Sequence, residues 1–171
     1  MKSSSPLALT AFALLIGAAL APFPWSEPID KAALQKQLEA LPEQQSSLQT
    51  NLAPKLEGST VDMIDAFTQL SNSLMPTAIS LVAASQAITP QEAEKQITRD
   101  LEAITRHLQY QMNFDGSGGT SVGPAIASAR LAHLRYLIIF KVREVFANTK
   151  DFPLEKWTET WANQCGMYEG C

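Results

Sequence analysis

Charge is scarce in this chain. Only 18% of its 171 residues are Asp, Glu, Lys or Arg, against about a quarter in a typical globular domain. Their formal balance is −4 at pH 7, which argues against nucleic acid as a partner. Histidine is confined to His107 and His133. No His-x-x-x-His, Glu-x-x-His or Cys/His cluster occurs. The spacing that metal sites use is therefore missing, and the sequence implies neither a metal nor a cofactor. Cysteine is confined to Cys165 and Cys171, without C-x-x-C spacing, so no thiol redox motif is present. No segment keeps a period of two, which excludes a sheet. No apolar run reaches the roughly 20 residues that a membrane-spanning helix needs. No Asn-x-Ser/Thr triplet occurs, so ordinary N-glycosylation is not implied.

The first two dozen residues have the layout of a secretory signal peptide. Lys2 supplies a minimal positive region, Leu7 to Leu20 is an uncharged apolar run, and Ala19-Leu20-Ala21 offers small residues for cleavage. Residues 1–21 are read as the signal and 22–171 as one domain, secreted or periplasmic. About 150 residues suffice for a single core without disulfides. Export favours a local disulfide between Cys165 and Cys171, with Gly166 and Gly170 letting the chain turn. So short a loop contributes roughly 2 kcal/mol at best. It clasps the tail over residues 164–171 and does not tie the core together.

Apolar spacing of three and four residues dominates the remainder, the signature of amphipathic helices. Residues 22–28 (PFPWSEP) form an extended lead-in. Asp30 caps a predicted helix with Leu34, Leu38 and Leu41 on one face, Pro42 ends it, and a short helix over 43–52 follows. Ser59 or Thr60 starts a long helix towards Ile88, with Pro76 kinking or splitting it. Thr89-Pro90-Gln91-Glu92 is a capping box with proline at the first helical position. It opens a helix carrying Ala93, Ile97, Leu101, Ile104, Leu108 and Met112. A glycine- and serine-rich loop, Asn113 to Gly123, separates it from a helix beginning at Pro124. There Leu131, Leu134, Ile138 and Val142 form a stripe that Leu137, Ile139 and Phe140 widen. A last helix carries Trp157 and Trp161 four residues apart. The expected fold is all-α, a compact antiparallel bundle of four to six helices after a cleaved signal peptide.

Three features invite a functional reading. Ala66 to Gln91 contains no charge. Such a helix either contacts lipid or lines an apolar cavity, or it lies at the centre of the bundle; Gln69, Ser71, Asn72 and Ser73 argue against a membrane span. The helix after Pro124 is basic, with Arg130, Arg135, Lys141 and Arg143 against Glu144. Arg130, His133 and Lys141 share a face that flanks Leu137. That face meets either an anionic group or the net acidic segment from Glu27 to Asp65. Leu74, Ile79, Arg130, His133, Leu137 and Lys141 are the candidate ligand contacts. Trp157, Trp161 and Tyr168 form an aromatic group that serves as an interaction patch or seals one end of the bundle.

Gly119-Thr120-Ser121-Val122-Gly123 matches the G-x-S-x-G nucleophile elbow. The residues before it do not read as a strand, and the Ser–acid–His order fails, so Ser121 is a remote catalytic candidate. Signal peptide plus successive amphipathic helices resembles, in layout alone, fungal secreted hydrophobic-surface-binding proteins and cell-wall mannoproteins. No motif of theirs is present, and the Trp- and Cys-bearing tail departs from them. The reading is a non-catalytic secreted helical module for a lipid or other hydrophobic ligand or surface, with peripheral membrane or cell-wall contact. The alternative is an exported protein-interaction factor: an immunity or inhibitor protein, an effector or a secretion-system accessory.

Overall fold

Side-chain caps set where the first three helices begin. Asp30 Oδ1 accepts the Ala32 N–H at 2.9 Å, which satisfies a backbone donor that the helix itself leaves unpaired. Ser59 and Asp62 form a reciprocal capping box, with the Asp62 N–H on Ser59 Oγ and the Ser59 N–H on Asp62 Oδ2. Thr89 and Glu92 repeat the arrangement, at 3.2 Å from the Glu92 N–H and 2.9 Å from the Thr89 N–H. The Ser59 hydroxyl and backbone N–H hold the Asp62 carboxyl below its ordinary value. The Thr89 backbone N–H and hydroxyl do the same for Glu92.

The computed structural model describes residues 29–114 and 122–164. These residues form five helices and no strand: α1 Lys31–Leu56, α2 Thr60–Gln86, α3 Pro90–Phe114, α4 Val122–Phe146 and α5 Leu154–Gln164. The bundle is all-α, as the periodicity predicts. The signal segment, Ser121, Tyr168 and the Cys165–Cys171 pair lie outside the described residues.

Pro42 does not end its helix as the sequence predicts, since α1 runs through it; α2 runs through Pro76 without splitting. An interior proline removes one N–H and leaves the carbonyl four residues earlier without its helical donor. Pro42 thereby frees the Leu38 carbonyl, which takes the Trp157 indole N–H at 2.6 Å. Pro76 frees the carbonyl of Asn72, an exposed residue. At Pro42 a tertiary contact thus replaces the lost bond. At its far end α2 stops at Ala87, a non-glycine residue in the left-handed conformation (φ 53°). The next N–H, of Ile88, returns to the Ala83 carbonyl, closing the helix end.

Helices adjacent in sequence run antiparallel. Lys55 pairs with Asp65 at one end of the α1–α2 interface. Gln45 Nε2 donates to Ser73 Oγ at 2.7 Å, and Gln37 Nε2 to Thr77 Oγ1 at 2.8 Å towards the other. The tightest interface, however, is between α2 and α4, which run parallel. Gly123 lies against Ile64 near both starts, and Ser85 near the end of α2 faces Glu144 near the end of α4. A Cβ on Gly123 would sit 2.6 Å from Ile64 Cδ1, so the missing side chain permits the close approach. α3 packs on α2 and α4, while the short α5 packs on α1 and α4.

α2, which carries no charge from Ala66 onward, is the central helix: α1, α3 and α4 all pack on it. Its Leu70, Leu74, Ala78, Leu81 and Val82 are buried with Leu38, Ile97, Leu134, Ile138 and Val142. Several of its hydroxyls return to their own helix, such as Ser71 to the Phe67 carbonyl and Ser73 to the Leu70 carbonyl. Polarity without charge suits such a helix, because a hydroxyl is satisfied locally, whereas a buried charge needs a partner.

Candidate functional site

α4 carries apolar residues on two opposite sides. At 100° per residue, Leu131, Leu134, Ile138 and Val142 fall on one side and are buried. Ala129, Ala132, Tyr136, Phe140, Arg143 and Glu144 fall on the opposite side. Phe140 is 59% exposed and Tyr136 43%; Ala132 and Arg143 are exposed as well. The sequence reading put Phe140 in a widened core stripe. The structure puts it outside, because one buried stripe cannot accommodate every apolar residue of this helix. The signal was legible as excess: a helix hydrophobic on two opposite sides must meet something on each of them.

The flank of α4 carries the basic residues. Arg130 is exposed, while His133, Leu137 and Lys141 are half-buried, so the predicted shared face exists. Lys141 Nζ donates to Glu144 Oε2 at 2.6 Å. That bond holds the Glu144 carboxyl below its ordinary value and neutralises Lys141 one turn away. His133 Nε2 is buried and has no hydrogen-bond partner. Of the net acidic segment from Glu27 to Asp65, the start of α2 meets α4 at Gly123, whereas α1 packs on α2 and α5. Its link to α4 is a 3.4 Å hydrogen bond from Arg135 to Gln49.

Of the remaining candidate contacts, Leu74 is wholly buried, and a ligand reaches it only by displacing the core. Ile79 is half-buried against that core. Trp157 and Trp161 are also interior, at 5% and 0% exposure. Their rings stack at 5.6 Å and 9°, and the series continues through Phe152 to Phe146. These four rings seal the junction of α1, α4 and α5 and do not form an open patch. The sequence reading missed Phe146 and Phe152 as parts of it.

α3 leads into the loop before Ser121 and is helical to Phe114, whereas a nucleophile elbow is fed by a strand. No three His, Cys, Asp or Glu side chains converge among the described residues. No helix there is long and apolar enough to cross a membrane. Comparison of the chain with protein-family models, with curated proteins and with solved structures finds no match.

One further concavity opens between α2, α3 and α4, a cleft of about 240 Å³. Arg130 lines it together with hydroxyl- and amide-bearing side chains. The spacing of apolar residues gives no sign of this cleft, because its wall is drawn from three helices.

Proposed function

We propose that this chain is a non-catalytic helical binding module that takes a hydrophobic surface, a lipid layer foremost, against the outer face of α4. Phe140 carries the reading: a large aromatic ring, more than half exposed, sits on the side of α4 that faces away from the core. Arg143 on the same face supplies a cation for anionic headgroups. The buried Leu74 argues against a ligand held inside the bundle and favours contact at its surface. The signal-like layout of Met1 to Trp25 supports a setting in which such a module meets membranes or cell walls.

Co-sedimentation with vesicles containing phosphatidylglycerol tests this. Wild-type protein partitions to the vesicles, and Phe140→Asp lowers the partition about tenfold or more, the worth of one buried phenyl ring. Arg143→Gln weakens binding to anionic vesicles and leaves binding to neutral ones unchanged. Failure of the wild type to bind either kind of vesicle, or equal binding by Phe140→Asp, overturns the reading. Capture of one stoichiometric protein through the same face would favour the interaction-factor alternative.

A further inference from the structure

The α2–α3–α4 cleft combines groups that core packing does not use. Thr68, Ser71 and Thr105 all line it. Each spends its single hydroxyl proton on a carbonyl of its own helix: Thr68 on Ile64 at 2.7 Å, Ser71 on Phe67 at 2.8 Å and Thr105 on Leu101 at 2.9 Å. A hydroxyl so engaged retains lone pairs and offers the cleft an acceptor. Three such acceptors come from two different helices. The Asn72 carbonyl, released by Pro76, belongs to a residue of the same wall.

The cationic group is Arg130. No carboxylate of the described residues lies within ion-pair distance of it, and no Asp or Glu among them lines the cleft. A guanidinium presents a planar fork of donors matched to a carboxylate. Asn72 and Gln109 add amides that both donate and accept. Ile64, Ile126 and Ala127 supply the apolar part of the lining. The close approach of α2 and α4 at Gly123 closes one side. The volume lies below the roughly 300 Å³ at which drug-sized pockets begin, so the occupant is small.

We infer that this cleft binds a small polyhydroxylated carboxylic acid, such as a sugar acid. Arg130 takes the carboxylate, and the Thr68, Ser71 and Thr105 oxygens accept from the ligand's hydroxyls. The site is separate from the outer face of α4 and does not depend on the function proposed for that face.

Titration of the intact ¹⁵N-labelled protein with gluconate, sorbitol and acetate, read by amide chemical shifts, tests this. Gluconate produces saturable shifts at Ser71, Asn72, Thr105 and Gly123. Sorbitol lacks the anion and acetate lacks the hydroxyls, so each binds about tenfold or more weakly. Arg130→Gln, at an exposed position, keeps the fold and brings gluconate down to the level of sorbitol. Thr68→Val and Thr105→Val weaken gluconate and leave acetate unchanged. No saturable shift with gluconate, acetate binding as tightly as gluconate, or gluconate binding unaltered in Arg130→Gln overturns the inference.

Discussion

The indole N–H of Trp157 reaches 2.6 Å to the backbone carbonyl of Leu38, 119 residues earlier in the chain. That carbonyl is available because Pro42, four residues on, has no N–H to give it. The proline, ordinarily a helix breaker costing about 3 kcal/mol, thus becomes the socket for α5. The bond is buried, so removing either partner leaves a polar group without water.

Trp157→Phe therefore destabilises the protein by about 1–3 kcal/mol beyond the lost ring area, because the Leu38 carbonyl is stranded. Pro42→Ala restores a helical N–H to that carbonyl. In the Pro42→Ala background the cost of Trp157→Phe falls by about 1 kcal/mol or more. A double-mutant cycle by urea unfolding measures the coupling, and additive losses would contradict it.

Ala87 ends α2 with φ at 53°, a conformation that costs an L-residue roughly 1–2 kcal/mol. Glycine relieves this strain but gives the unfolded chain more freedom to lose. Ala87→Gly should stabilise the fold by about 0.5 kcal/mol net, measured as a rise in the urea midpoint at unchanged slope.

Two α4 positions two residues apart should behave in opposite ways. Ile138 is fully buried and Phe140 is 59% exposed. Ile138→Ala costs about 2–5 kcal/mol, whereas Phe140→Ala stays within about 0.5 kcal/mol. Thermal unfolding of the two variants checks the assignment of inner and outer faces.

Stability should fall in acid through the two capping boxes. The folded state holds the Asp62 and Glu92 carboxyls below their ordinary values. Their contribution is fully present above the unfolded carboxylate range, about pH 4. It is lost as the pH falls through the lower folded values. Asp62→Asn with Glu92→Gln removes this contribution and flattens the acid limb of stability against pH. Urea midpoints between neutral and acid pH read the difference.

Helix periodicity and caps were legible in the chain because both are local. Asp30, Ser59 and Thr89 each stand within three residues of the N–H groups they satisfy. Leu131, Leu134, Ile138 and Val142 declare a buried stripe by spacing alone. Pro42 was misread because its fate depends on Trp157, far away in sequence. The basic residues of α4 share a face, as their spacing states, but the neighbour of that face was not legible: Glu144, one turn away, serves Lys141, and α1 packs on α2 and α5.

The sequence by itself determined the all-helical class, the starts of the first three helices and the identity of most core residues. Each follows from interactions that span a few residues of one helix. Tertiary structure alone decided that α2 and α4 pair in parallel, that Leu74, Trp157 and Trp161 are sealed inside, and that Phe140 and Arg130 remain outside. An amphipathic stripe states which side of a helix avoids water, but not which other helix covers it. That choice rests on shape, as where Gly123 admits Ile64, and on contacts such as Trp157 with Leu38 that exist only once the bundle has closed.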